Sequence, residues 1–395
     1  MNPALDRLQP YPFERLRRLL DGVEASPAHR PLNLSIGEPR HPTPALIRDA
    51  IAASLDGLSS YPPTAGFEAL RTAIAAWLQR RYGLAGIDAR SQVLPVNGSR
   101  EALFAFAQAT IDPRGGGWVV CPNPFYQIYE GAALLAGARP WFVEQAAANG
   151  FRCDWDAVPE AVWSRTRLLY VCSPGNPTGS VIPLDEWQRL FALSDRHGFT
   201  IASDECYSEI YQDESAPPMG ALQAAQQLGR GFERLVMFSS LSKRSNVPGM
   251  RSGFVAGDAA LLERFLLYRT YHGSAMSPTF QAASAAAWND EAHVRENRRM
   301  YREKFEAVTP VIASVLHATR PQAGFYLWAG VPGGDDQRFC RELLRQYNVL
   351  SLPGSFLARE HEGRNPGAGF VRLALVEPLE RCIEAVERIR SFVSG

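Results

Sequence analysis

Lysine is nearly missing from this chain. Among 41 basic residues only Lys243 and Lys304 are lysines, so arginine carries almost all the positive charge. Arginine stays protonated at any ordinary pH, whereas a lysine amine can lose its proton in suitable surroundings and act as nucleophile, Schiff-base former or base. A lysine in such a chain therefore invites a chemical explanation. Net charge is missing too: 41 acidic residues balance the basic ones and the signs are interspersed, leaving no field for nucleic acid, an anionic membrane or a polyanion. No apolar run approaches the roughly 20 residues of a membrane span, and Asp6 and Glu14 stand where a signal peptide would be apolar. A cytoplasmic protein is expected. The six cysteines, Cys121, Cys153, Cys172, Cys206, Cys340 and Cys382, lack C-x-x-C pairing and read as buried thiols. Seven scattered histidines give no metal-ligand spacing.

What is present is an alternation. Residues 1–30 form an arm in which Phe13, Leu16, Leu19, Leu20 and Val23 recur at helical spacing, so their stripe must cover the chain's own surface or a partner subunit. Phe67, Leu70, Ile74, Leu78 and Tyr82 define a helix after the turn YPPTAG. From Val93 onward, apolar runs (WVV, RLLYVC, FTIAS, LVMFS, FVAG) alternate with helical stretches, which predicts an α/β fold with a mostly parallel sheet. Ligands bind such sheets beyond the carboxyl ends of the strands, so the loops NGSRE, NPFY, SPGNPTG, DECY and SLSK together offer one site. Beyond residue 285 the order of elements predicts a smaller α+β domain, with Leu379, Ile383, Val386, Ile389 and Val393 of the last helix facing its core. The division expected is an arm at 1–30, a large domain at 45–284, and a small domain from 31–44 and 285–395.

Each loop offers residues with two readings. Lys243 has Ser240, Ser242 and Arg251 as company, and Gly249 and Gly253 allow close backbone approach, as a phosphate-bearing ligand requires. Lys304, in ENRRMYREKFEAV, reads as solvated on a charged helical face. Gly98 and Ser99 open a helix, where Ser99 either caps it or joins Arg100 in offering N–H groups to an anion. Asn176 is held in a Pro/Gly loop, either bracing its own turn or presenting its amide. Asp204 ends a buried strand and needs a cation or donor as partner, with Tyr207 close behind. Phe125 or Tyr126 could cover a planar ligand or pack in the core. Arg372, between apolar neighbours in FVRLALV, grips either a carboxylate ligand or an internal acid.

Taken together, IGEP with Gly37, YPPTAG with Tyr61, NGSRE, PNPFY, SPGNPTG, DECY, SLSK followed eight residues on by Arg251, GFYLW and FVRLAL resemble the class I/II aminotransferases of fold type I, which use pyridoxal 5'-phosphate (PLP). LQPYPFERL, IGEPRHPTP and SKRSNVPGMRSGFVAGD look most like the succinyldiaminopimelate aminotransferases of that family. The resemblance implies that Lys243 holds PLP covalently and shuttles a proton. It implies that Asp204 pairs with the ring nitrogen, that Asn176 and Tyr207 contact the ring oxygen, and that Tyr126, or alternatively Phe125, stacks on the ring. Ser99, Arg100, Ser240, Ser242 and Arg251 would hold the phosphate, with Tyr61 donated by the second subunit of a homodimer. Arg372 would bind the substrate α-carboxylate, helped by Asn176 and Gly37. The implied reaction is transfer of an amino group between an amino acid and a 2-oxo acid, N-succinyl-LL-2,6-diaminopimelate and 2-oxoglutarate by preference. Aspartate, alanine, aromatic or acylornithine donors, or a PLP-dependent C–S lyase, are the alternatives. A regulator built on this fold would want an appended DNA-binding module, for which 30 residues are too few.

Overall fold

Apolar runs without polar alternation belong in strands covered on both faces, and the sheet they build positions everything else. The computed structural model describes residues 1–395. Its strands, in chain order, are β1 (Leu32–Asn33), β2 (Val93–Val96), β3 (Trp118–Asn123), β4 (Arg139–Glu144), β5 (Thr166–Cys172), β6 (Thr200–Asp204), β7 (Leu235–Ser240), β8 (Gly253–Gly257), β9 (Tyr326–Gly330), β10 (Val349–Leu350), β11 (Leu352–Pro353) and β12 (Phe370–Ala374). Seven of them form a sheet in the order β2-β8-β7-β6-β5-β3-β4. All pairings are parallel except those of β8, which runs against β2 and β7. The reversal has a consequence. The entry to β8, just after Arg251, lies at the same edge as the exits of β2, β3, β5, β6 and β7, so all the polar loops meet there.

Helices cover both faces. One layer packs Trp77, Trp187 and Trp288 among 39 buried residues, and the other packs Phe106, Tyr129, Tyr170 and Phe265. Burying each such ring contributes about 2–3 kcal/mol, so the edge that carries the loops rests on a rigid base. The smaller part combines the antiparallel order β11-β12-β9 with β1 paired to β10, Leu32 opposite Val349. Phe305, Ile312, Leu343, Val371, Val386 and Ile389 share its core. The N-terminal stripe covers the chain's own surface: in the helix Pro12–Leu19, Leu16 packs on Trp328, Leu352, Phe356 and Leu357, with Phe13, Leu19 and Leu20 beside it.

Two expectations need correction. In the last helix, Leu379–Ser394, the buried stripe is Cys382, Ala385, Val386 and Ile389, which turns Ile383 outward to 37% exposure. Lys304 is not solvated, being only 2% exposed. In the helix Ala292–Ala313 the residues Val294, Asn297, Tyr301, Lys304, Val308 and Ile312 recur every three or four positions and face inward together. Polar members hid that stripe from a count of apolar residues.

Candidate active site

At the loop edge a cavity of about 460 Å³ is lined by Gly37, Ser99, Arg100, Tyr126, Asn176, Asp204, Tyr207, Ser240, Ser242, Lys243, Arg251 and Arg372. Residues up to 335 positions apart in sequence thus meet in one space. Of the residues expected at the site only Tyr61 lies elsewhere, with its side chain fully exposed. Phe125 is buried in the core at 1% exposure, while its neighbour Tyr126 turns its ring to the cavity.

Lys243 sits in a single helical turn, Leu241–Arg244, directly after β7. Its Nζ donates to the Gly37 carbonyl at 2.7 Å and lies 5.4 Å from the centre of the Phe325 ring. Burial pulls the amine down to about 8, and the guanidiniums of Arg372 and Arg251 push the same way. A group so placed exchanges protons readily near neutrality. Gly37 is needed where it is, because a Cβ there would occupy the position of the Tyr326 hydroxyl.

One end of the cavity suits an anion. Ser99 opens the helix Ser99–Thr110, whose first N–H groups have no partner within the helix. Ser99 does not cap it: its hydroxyl accepts from the Cys206 thiol at 2.9 Å, while Glu101 reaches back to the Asn97 N–H at 2.9 Å. Fully buried Arg269 holds that Glu101 carboxylate at 2.8 Å and 3.0 Å. Arg251 has left-handed backbone, φ 53°, and donates to the Pro248 carbonyl at 2.8 Å. Gly98, at φ 85°, leaves room for the Arg251 guanidinium where a Cβ would collide with it, and Gly253 likewise avoids the Ser239 carbonyl. The result is a cradle of N–H groups, hydroxyls and a guanidinium.

Asp204, Tyr207 and Arg372 line the same cavity. Asp204 accepts from the Tyr129 hydroxyl at 2.8 Å and from the Cys206 N–H at 3.2 Å. Burial raises its pKa and these donors oppose the shift, so the strand-end carboxylate is held by donors and no salt bridge. Tyr207 and Tyr326 share a hydrogen bond of 3.0 Å. Arg372 is 4% exposed, donates to Asn176 Oδ1 at 3.1 Å and the Ser35 carbonyl at 2.8 Å, and lies 4.3 Å over the Tyr326 ring. Its Nε has no partner at all. No acid neutralises it, so the internal salt bridge does not exist, and Asn176 spends its oxygen on Arg372 and not on its own turn. That turn is braced by Gly175 and Gly179 N–H bonds of 2.9 Å and 2.8 Å.

Reading the sequence missed Tyr129, Cys206, Tyr326 and Ser35, each of which orients an expected residue. Tyr326 lies in the GFYLW segment already singled out, whereas Tyr129 carries no local signal.

A half-buried lysine with a depressed amine beyond the carboxyl edge of a mostly parallel sheet, sharing its cavity with an anion cradle and a strand-end aspartate, defines a PLP-dependent enzyme of fold type I. The chain belongs to the family Aminotransferase class I and II, whose model matches residues 30–389. That family is PLP-dependent and works on amino acids and 2-oxo acids. Over 388 residues the chain is 33% identical to the LL-diaminopimelate aminotransferase of Desulforudis audaxviator, covering 97% of this chain and 95% of the relative. The crystal structure of an aminotransferase from Neisseria meningitidis is similar over the full length of both chains, with 55% identity and a TM-score of 0.97. A probable N-succinyldiaminopimelate aminotransferase from Thermus thermophilus matches 96% of this chain and 99% of its own at 28% identity and a TM-score of 0.85. No helix is long and apolar enough to cross a membrane.

Proposed function

We propose that this cavity is the active site of a cytoplasmic, homodimeric aminotransferase whose preferred pair is N-succinyl-LL-2,6-diaminopimelate and 2-oxoglutarate, in the lysine pathway. The observation that carries the reading is Lys243, with its amine pulled down to about 8, in one space with Arg372, which no acid neutralises, and the anion cradle. In this reading the domains divide at 1–30, 45–284, and 31–44 with 285–395.

The residues fit PLP. The N–H groups of Ser99 and Arg100, the hydroxyls of Ser240 and Ser242 and the Arg251 guanidinium would hold its phosphate, joined by Tyr61 of the partner subunit. Asp204, kept in place by Tyr129, would hold the proton on the ring nitrogen. Asn176 and Tyr207 would donate to the ring oxygen, and Tyr126 would cover the ring, since Phe125 is committed to the core. When bound, PLP supplies a sink for the electron pair left at the substrate Cα. Arg372, which no acid neutralises, would bind the substrate α-carboxylate, helped by Asn176 and Gly37. The Lys243 amine would take the proton from the substrate Cα and return it, which is acid/base catalysis by a single amine.

A second donor, LL-diaminopimelate itself, is favoured by the Desulforudis relative, an LL-diaminopimelate aminotransferase, and by the cavity. Glu38 and Arg100 line the cavity, and neither forms an ion pair; a distal ammonium and carboxylate would match them. The test is an initial-rate comparison of the two donors, with 2-oxoglutarate as acceptor, beside aspartate, acylornithine and aromatic amino acids. Faster turnover of the succinylated donor is expected, and faster turnover of the free one would favour the second reading. Release of pyruvate and ammonia without an acceptor would replace both with a lyase. Lys243→Ala should lose turnover and the fixation of cofactor by borohydride together, and full activity in that variant would refute the mechanism.

A further inference from the structure

The second lysine is also buried, and nothing in the reaction so far uses it. Lys304 Nζ lies 2.7 Å from His41 Nε2 and 3.5 Å from the Val376 carbonyl, 4.9 Å over the Tyr301 ring. No carboxylate forms a salt bridge with it. An ammonium so buried is costly unless its hydrogen bonds do specific work. Here they set a direction. The ammonium only donates, so His41 Nε2 must accept and Nδ1 must carry the ring proton. That proton points to Asn297 Oδ1 at 2.8 Å, which also accepts from Asn246 Nδ2 at 3.0 Å. With its oxygen filled from two sides, Asn297 turns its amide nitrogen to the Lys243 carbonyl at 3.2 Å and the Arg244 carbonyl at 3.3 Å. Burial holds His41 down at about 4, so the ring stays neutral as the chain of bonds requires. A packing route runs alongside: Tyr301 stacks on Phe325 at 5.5 Å, and Phe325 lies under the Lys243 amine.

We infer that Lys304 is a positioning residue, which through His41 and Asn297 fixes the backbone of Lys243 and hence the place from which its amine reaches the substrate Cα. The inference rests on Lys243 as the proton carrier. It also explains why this residue is lysine: one imidazole nitrogen, one carbonyl and the Tyr301 ring face meet the three donors of a compact ammonium, whereas most of the five donors of a guanidinium would go unmet.

The test uses PLP-loaded wild type, Lys304→Met and His41→Phe, and their double variant. The single-turnover half-reaction is followed with glutamate and with glutamate deuterated at Cα. The expected result is a rate lower by about three- to tenfold, the scale of one lost hydrogen bond, with a larger deuterium effect and glutamate affinity within about twofold. The double variant should be no slower than the slower single one, because the two act in series. In cofactor-free protein, amide exchange over residues 241–247 should quicken. An unchanged deuterium effect in either single variant overturns the inference, since a residue that only stabilises the fold changes the amount of active enzyme and not the share of the barrier due to proton transfer. If Lys304→Met does not fold, His41→Phe alone decides. Activity surviving in Lys243→Ala would instead remove the premise, so the two failures are distinct.

Discussion

Replacing Lys243 with methionine should stabilise the cofactor-free protein. The folded amine sits at about 8 against an ordinary 10.5. A lowered basic group leaves the unfolded chain holding more protons between those values, so stability rises with pH across that window and falls as pH drops through about 8. At pH 7 the amine is charged in both states and the full penalty applies. The difference of about 2.5 units corresponds to about 3 kcal/mol at 1.36 kcal/mol per unit. That is a ceiling, because the cavity admits water to the amine and the variant also loses the 2.7 Å bond to Gly37, worth about 1 kcal/mol. For 395 residues the unfolding entropy is about 0.8 kcal/mol per degree, so Lys243→Met should melt about 3 °C above wild type at pH 7. At pH 10.5, where the folded amine is neutral and half the unfolded chains are too, the remaining penalty of about 0.4 kcal/mol is smaller than the lost bond, so the gain should vanish and the variant melt within about 1 °C below wild type. Calorimetry of both proteins at the two pH values decides the matter. A gain that does not change with pH would mean that packing alone is responsible, and a loss at pH 7 would refute the account of the amine as a desolvated base.

Two further outcomes follow from the surroundings of the site. Gly98→Ala would push a Cβ into the Arg251 guanidinium at a backbone position of φ 85°, and should weaken PLP binding by at least about tenfold, roughly 1.4 kcal/mol, in a titration of the cofactor-free protein. Glu205 is fully buried with its carboxyl pushed up from 4.5 to about 7 by burial, so the stability it contributes is complete below 4.5 and lost as pH rises through about 7, about 3 kcal/mol in all; denaturation of Glu205→Gln should lack that slope.

How far the sequence foretold this molecule depends on what kind of signal each feature leaves. Strands covered on both faces announce themselves as apolar runs, and the loops after them carry polar residues that have no reason to be there unless they act. So the edge of the sheet, Lys243, Asp204 and Arg372 were legible, and so was the fold class. The supports were not. Tyr129 reaches Asp204 from a neighbouring helix at 2.8 Å, a relation set by the distance between β3 and β6 in the sheet, which no local pattern encodes. Ser35 meets Arg372 through its backbone carbonyl, a group every residue carries. Lys304 failed for another reason: its helix buries a stripe that mixes Asn297, Tyr301 and Lys304 with valine and isoleucine, and periodicity counted on apolar residues alone assigns such a stripe to solvent.

Arg244, Arg269 and the two lysines differ in the acceptors around them and in the chemistry open to them. Arg244, 1% exposed, spends its fork on the Ala287 and Asp290 carbonyls and the Glu291 carboxylate. Arg269 engages both oxygens of Glu101 and the Ser274 carbonyl. Each such site supplies at least three acceptors to the terminal nitrogens, leaving only Nε unpaired. Lys243 has one, the Gly37 carbonyl, and Lys304 has an imidazole nitrogen and a distant carbonyl. A guanidinium at either place would bury unsatisfied donors, and at Lys243 it could never give up its proton. At Lys243 the amine is thus required by its proton chemistry, and Lys304, with its two acceptors, leads to it by hydrogen bonds through His41 and Asn297.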